Sequence, residues 1–277
     1  MHTLLEILRK SENLLIERGV SEARLDAEHL IAATLKCKRM DLYLQFDRPM
    51  EEEILAQLRP LIARRARREP LSYILGHHPF DNLDLTVQPG ILIPRPETEE
   101  LVQITADQLH SAPKRILDLG TGSGAIGLWM KKRYPDSEVV AVDSSSKALE
   151  LSRKNAESNS VHITFLESDW FGQIEGQFDL IISNPPYLTD DEWLAAEPEV
   201  RDHEPKTALV AGEDGIADLR TILKRAPEYL RPGGLVALET GIRHRETLES
   251  LCRKFEYQTS WGEDDFSGRN RYFFAKN

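Results

Sequence analysis

Beyond Pro94 the chain alternates, to its end, between short apolar runs and stretches whose apolar residues recur at helical spacing. The short runs predict strands at 115–119, 139–142, 163–167, 178–183, 235–239 and 271–275. The helical spacing predicts helices at 97–109, 125–133, 146–159, 216–229 and 243–255. Apolar strands separated by helices build a mostly parallel sheet covered on both faces, an α/β fold. Such sheets bind ligands outside the carboxyl ends of their strands. Chemistry is therefore expected in the residues that follow each strand.

The first part of the chain has a different texture. Leu4, Leu5, Leu8, Leu14 and Leu15 predict a helix ending near Gly19. Ser21 is the expected N-cap of a second helix carrying Leu25, His29, Leu30 and Ala33. Ile54, Leu55, Leu58, Leu61 and Ile62 predict a third over 51–68, ended by Pro70. From Leu71 to Ile93 the alternation of Leu83, Leu85 and Val87 reads as a short hairpin and connector. The expected organisation is a small all-helical domain at 1–72, a β-hairpin connector at 73–93 and a sheet-containing domain at 94–277.

Two consecutive prolines mark the chemistry. The strand Phe178–Ser183 runs into Asn184-Pro185-Pro186-Tyr187. Neither proline can donate to a sheet ladder, and the first biases Asn184 toward extended backbone. The product is a stiff turn at a strand end, holding one carboxamide and one aromatic ring in place. The Asn184 carbonyl and nearby backbone carbonyls are acceptors, and a ring beside them suits a flat NH2 group with two donors and a π face.

A glycine loop supplies the second motif. Arg115-Ile-Leu-Asp118-Leu119 runs into Gly120-Thr121-Gly122-Ser123-Gly124 and then a helix. Glycine permits the tight turn and lets a ligand approach without a Cβ in the way. The next strand ends at Asp143, which is placed to accept from both hydroxyls of a ribose. Together they imply a nucleoside-bearing cofactor. Gly122-Ser-Gly124-Ala-Ile-Gly127 also matches the dinucleotide fingerprint, so a dehydrogenase is a competing reading. Against it, the glycines begin directly after the strand, and a dehydrogenase has no use for Asn-Pro-Pro-Tyr.

Charge and cysteine content narrow the class. The formal net charge of −11 opposes tight non-specific nucleic-acid binding and favours a cationic or neutral ligand. The only cysteines, Cys37 and Cys252, have no metal-like spacing and read as reduced thiols. Met1 to Arg18 carries Glu6, Arg9, Lys10, Glu12 and Glu17 among its apolar residues, unlike a signal peptide, and no apolar run approaches the ~20 residues of a membrane span. A soluble, cytoplasmic protein is expected, with no metal and no membrane partner.

Asp118-x-Gly120-x-Gly122-x-Gly124, Asp143 and Asn184-Pro-Pro-Tyr187, in this order, resemble a class I S-adenosylmethionine-dependent methyltransferase acting on an exocyclic or amide nitrogen. Further stretches resemble the peptide chain release factor N5-glutamine methyltransferases. They are Glu69-Pro-Leu-Ser-Tyr-Ile-Leu-Gly76, Leu92-Ile-Pro-Arg-Pro-Glu-Thr-Glu99, Ser168-Asp-Trp-Phe171, Glu204-Pro205 with Ala208-Leu209, and Gly212-x-Asp214-Gly215. The resemblance covers nearly the full length. It implies a Rossmann-like seven-stranded sheet with its last strand antiparallel, and an N-terminal helical domain that docks the substrate protein. It implies S-adenosylmethionine as cofactor and the glutamine of the Gly-Gly-Gln loop of bacterial class I release factors as substrate. By the family's pattern Gly120, Thr121, Gly122, Ser123, Gly124, Asp143, Trp170 and Asn184 line the cofactor site. Asn184, Pro185, Pro186 and Tyr187 hold the glutamine, with Asn184, Pro185 and Tyr187 as the catalytic group. A nucleic-acid N-methyltransferase shares the tetrapeptide logic, and the acidic charge argues against it.

Other residues have plainer readings. Arg64, Arg65, Arg67 and Arg68 at a helix end are expected on a solvated face, favoured by the helix dipole. His77 and His78 have no third ligand for a metal. Arg95, stiffened between two prolines, is expected either toward the cofactor cleft or in a surface ion pair. Glu239 and Asp169 sit near strand ends with nothing in the sequence to pair them.

Overall fold

The computed structural model describes residues 2–277, which fall into two units. The larger unit runs from His77 to Ala196 and from Glu204 to Asn277. It opens with a hairpin, β1 (His77–Phe80) and β2 (Leu83–Thr86), followed by α5 (Pro96–Gln108). Then come β3 (Arg115–Leu119), α6 (Ala125–Arg133), β4 (Glu138–Asp143), α7 (Ser146–Ser158), β5 (Thr164–Glu167) and β6 (Phe178–Ser183). After α8 (Asp190–Leu194) follow α10 (Ala217–Tyr229), β7 (Leu230–Glu239), α11 (Arg245–Lys254), β8 (Thr259–Asp264) and β9 (Asn270–Lys276). The seven strands from β3 onward form one sheet in the order β5-β4-β3-β6-β7-β9-β8.

The expected parallel sheet is present, and β9 is the antiparallel strand. Its direction follows from chain length. A parallel partner needs a crossover of a dozen residues or more. Only residues 265–269 separate β8 from β9, so the chain must fold back as a hairpin. Asp265 closes it by accepting from the amides of Ser267 and Arg269 through Oδ1.

Strand alternation builds a core on each face. Leu117, Leu119, Ile181, Val236, Leu238, Phe273 and Ala275 pack with Leu219, Ile222 and Leu223 of α10 and Leu248 and Cys252 of α11. Their neighbours Ile116, Leu180, Ile182, Leu235, Ala237, Tyr272 and Phe274 face the other way, onto Leu101 and Val102 of α5 and Leu128 and Met130 of α6. Each fully buried Leu, Ile or Phe contributes roughly 1.5–3 kcal/mol. Asp118 falls between Leu117 and Leu119 in β3 and is fully buried, a charge-bearing residue in an otherwise apolar strand.

Several local expectations need correction. Thr259–Asp264 is a strand that periodicity does not reveal, because its residues are mostly half-buried at the sheet edge; Trp261 stacks on Phe274 with ring centroids 5.5 Å apart. β7 begins at Leu230, before the apolar run that marked it. Leu71–Leu75 is a helical turn (α4) ending at Gly76, so the hairpin starts only at His77.

The smaller unit comprises the chain up to Gly76 together with Glu197–His203. Its helices are α1 (Leu4–Glu17), α2 (Ala23–Leu35), α3 (Glu52–Ala66), α4 and the short α9 (Pro198–His203). Leu4, Leu8, Leu15, Leu30, Ile31, Leu58 and Ile62 close one core. Thr3 and Glu6 form a reciprocal capping box at α1. Glu22, not Ser21, occupies the N-cap of α2.

Of the arginine cluster only Arg67 is exposed as expected; the other three are held in ion pairs. Arg65 is 5% exposed and bonds Asp26 at 2.6 Å and Glu199 at 2.7 Å. Arg68 holds Glu199 and Glu197, and Arg64 holds Glu69. The carboxylates that bury this cluster lie up to 134 residues away, beyond the reach of local pattern.

Candidate active site

A cleft of about 360 Å³ lies at the carboxyl ends of the parallel strands. The turns after β3, β4, β5 and β6 each contribute: Gly120–Ser123, Asp143–Ser145, Ser168–Trp170 and Asn184–Pro186. Gly90–Leu92, Pro94, Thr98 and Asp218 complete it with Pro205, Thr207 and Ala208. Asp143, Asp169 and Asp218 are its charged residues; no lysine or arginine lines it.

Asp118 and Asp143 shape the glycine loop from below. Gly120 and Gly122 take φ of 69° and 56°, where a side chain would be strained. Asp118 Oδ2 accepts from the Thr121 hydroxyl at 2.6 Å and from the Gly127 amide at 2.9 Å. Its Oδ1 is buried without a partner, and burial pushes the carboxyl up to about 7. Asp143 Oδ2 accepts from the Gly122 amide at 2.9 Å, and Oδ1 from the Ser145 amide at 2.9 Å. Burial raises its pKa too. Ser145 caps α7. A carboxylate has lone pairs beyond these two bonds, so Asp143 retains acceptor capacity toward the cleft.

Trp170 adopts φ of 47°, in the left-handed region, and its ring lies over Gly120. Burial raises the pKa of the Asp218 carboxyl, and Trp170 opposes that rise. Gly124 differs from the rest of its loop. It does not line the cleft; an added Cβ would meet Leu128 Cδ1 at 3.2 Å and Ser152 Cβ at 3.3 Å, so it serves close packing between α6 and α7.

The tetrapeptide emerges from β6 between the cleft and a smaller hollow of about 30 Å³. Asn184 and Pro185 line both; Pro186 faces the cleft and Tyr187 the hollow. The Tyr187 and Leu188 amides donate to Leu209 O at 3.1 and 2.8 Å. Gly215, at φ 68°, leaves room for the Tyr187 carbonyl, which a Cβ would approach to 2.5 Å. The Gly212-x-Asp214-Gly215 stretch thereby buttresses the tetrapeptide.

A buried chain of hydrogen bonds backs the turn. Asn184 Nδ2 donates to Thr98 Oγ1 at 2.9 Å; Thr98 Oγ1 donates to Glu239 Oε2 at 2.7 Å. The Tyr187 hydroxyl donates to Glu239 Oε1 at 2.8 Å, and Arg271 reaches that hydroxyl at 3.3 Å. Burial raises the pKa values of Glu239 and Tyr187, while Arg271 opposes both shifts. Glu239 therefore does have partners, Thr98 and Tyr187, distant in sequence. Arg95 pairs with the buried Glu204 at 2.6 Å and lines the hollow rather than the cleft.

Relatives of known name now place the chain. It is 41% identical over 97% of its length to the release factor glutamine methyltransferase of Geobacter sulfurreducens, covering 95% of that protein. The chain belongs to the release factor glutamine methyltransferase family. The corresponding enzyme of Vibrio cholerae is 37% identical over 97% of the chain and 95% of its own length. The methyltransferase small domain model matches residues 98–197, and the PrmC N-terminal domain model matches residues 6–76. A methyltransferase from Pyrococcus furiosus superposes with a TM-score of 0.56 at 21% identity, covering 77% of this chain and 98% of that one, which speaks to the fold. For a release factor glutamine methyltransferase, residues 98–197 hold the glycine loop, Asp143, Trp170 and the tetrapeptide, but not Glu239, Gly215 or Arg271. No helix among the described residues is long and apolar enough to cross a membrane.

Proposed function

We propose that this chain methylates the side-chain amide nitrogen (N5) of the glutamine in the Gly-Gly-Gln loop of bacterial class I peptide chain release factors. S-adenosylmethionine, when bound, supplies an electrophilic sulfonium methyl and leaves as S-adenosylhomocysteine. The cleft fits that cofactor: three carboxylates and no basic side chain complement a sulfonium and an ammonium and oppose a pyrophosphate. Gly120–Ser123, Asp143 and Trp170 hold it in this reading.

The observation that carries the reading is Asn184. Its nitrogen is engaged by Thr98, while no group among the described residues donates to its Oδ1. It stands at the boundary of the cleft and the hollow. A carboxamide entering from the hollow would donate one N–H to Asn184 Oδ1 and the other to the Pro185 carbonyl, with the Tyr187 ring as its wall. An amide nitrogen is a weak nucleophile because its lone pair is delocalised into the carbonyl. Two acceptors hold that nitrogen at the cleft and favour partial pyramidalisation, so alignment is the main contribution of the chain. As the N–C bond forms and the S–C bond breaks, the nitrogen becomes acidic and loses one proton to solvent, and no general base is assigned.

The helical unit docks the release factor in this reading, and the enzyme works in the cytoplasm without stable nucleic-acid binding. Incubation with separate release factor and DNA substrates and labelled cofactor tests the assignment. Label in the release factor alone is expected; label in DNA overturns it.

A further inference from the structure

The structure assigns Thr98 and Glu239 as positioning residues that set which end of the Asn184 carboxamide faces the substrate. The hydrogen-bond chain fixes which end of the carboxamide meets Thr98. Glu239 is 1% exposed; against that burial, the hydroxyls of Thr98 and Tyr187 on its two oxygens and the charge of Arg271 favour its ionised form, and as a carboxylate it only accepts. The one hydrogen of the Thr98 hydroxyl must then go to Glu239 Oε2, 2.7 Å away. Thr98 Oγ1 is left with lone pairs toward Asn184, so only the NH2 end can face it at 2.9 Å. The Asn184 oxygen is turned away from Thr98 and kept for the incoming amide. Tyr187 adds a second donor to Glu239, fixing the carboxylate from the other side. The Pro-Arg-Pro-Glu-Thr stretch thus acquires a role through its last residue.

Removing only the charge has a specific consequence. In Glu239→Gln the Tyr187 hydroxyl still needs an acceptor, because Arg271 already donates to its oxygen. The new side chain therefore turns its oxygen to Tyr187 and its NH2 to Thr98. Thr98 then accepts from the glutamine and donates to Asn184, which must rotate its oxygen inward. The relay reverses and the cleft faces an NH2 group, which cannot accept from the substrate.

This inference rests on Asn184 being the acceptor for the substrate amide, and the test separates the two. Thr98→Val and Glu239→Gln are expected to lower kcat at least about tenfold, the equivalent of one net hydrogen bond. S-adenosylhomocysteine affinity should stay within about threefold in Glu239→Gln, which does not line the cleft, and in Thr98→Val, which does, it should fall by a smaller factor than kcat. Thr98→Ser should recover most of what Thr98→Val loses. Independently of turnover, the side-chain amide hydrogens of 15N-labelled Asn184 should exchange more slowly in the wild type than in either variant, where Nδ2 loses its partner. If Asn184→Ala abolishes transfer while both relay variants turn over within about twofold of wild type, this inference is overturned and the functional reading stands. If Asn184→Ala itself turns over normally, the functional reading fails first.

Discussion

The nitrogen of Asn184 lies 2.9 Å from the hydroxyl oxygen of Thr98, a residue 86 positions earlier in the chain. A strand-end turn and the first turn of α5 thereby act as one element. If Asn184 serves the substrate and not the fold, Asn184→Ala should keep S-adenosylhomocysteine affinity within a few-fold. Turnover should fall by about a hundredfold, the scale on which a group that aligns the reactants acts. Calorimetric binding alongside steady-state methyl transfer separates the two quantities. Equal losses in both would mean that the turn collapses.

Gly215 makes the buttress testable. Alanine there must hold φ near 68° and bring its Cβ to within 2.5 Å of the Tyr187 carbonyl, so the tetrapeptide has to shift. The left-handed backbone alone costs roughly 1–2 kcal/mol. Gly215→Ala should unfold at lower urea and lose turnover by a larger factor than cofactor affinity. An unchanged midpoint with full activity would show that Tyr187 is not held from this side.

Asp118 predicts a pH dependence of stability. Its ordinary pKa of 3.8 is pushed up to about 7 by burial, so the folded chain holds this proton more tightly than the unfolded chain. The stabilisation is full below about pH 4 and is lost as pH rises toward about 7. Asp118→Asn cannot ionise and lacks this loss. Between about pH 5 and about pH 8 the unfolding free energy of the variant should gain on that of the wild type, read from urea midpoints. A difference that does not change with pH contradicts the assignment.

Arg65 tests the helical unit. It neutralises Asp26 and Glu199, both mostly buried; its removal leaves Asp26 without its cation and Glu199 with Arg68 alone. Arg65→Ala should destabilise by about 3–5 kcal/mol, the range for breaking a buried pair from one side. Adding Asp26→Asn, which removes the carboxylate left unpaired, should return part of that loss. A shift below about 1 kcal/mol, typical of a surface pair, would contradict the burial.

Much of this was legible in the chain because it is local. Proline stops a strand wherever it occurs, glycine admits positive φ, and periods of two and 3.6 residues identify strands and helices. Gly120–Ser123, Asp143, Trp170 and Asn184–Pro186 all line the cleft. What sequence reasoning missed depends on pairings across the fold. Thr98 finds Glu239 at a separation of 141 residues, and Tyr187 finds Glu239 at 52. Glu239 ends an apolar strand, and a carboxylate in that place is the signal that a partner must exist, though not which one. The same holds for Arg65, whose burial requires an acid from the far side of the chain. Gly124, which the family's pattern groups with the cofactor loop, is not among the residues lining the cleft, and a Cβ there would meet Leu128 and Ser152.

The most direct test is peptide mass spectrometry of a class I release factor after incubation with this enzyme and S-adenosylmethionine. One added methyl mass is expected on the Gly-Gly-Gln glutamine, with fragment ions placing it on the side-chain amide, and none with Asn184→Ala. An unmodified glutamine with active, cofactor-binding wild-type enzyme, or full methylation by Asn184→Ala, would contradict the account.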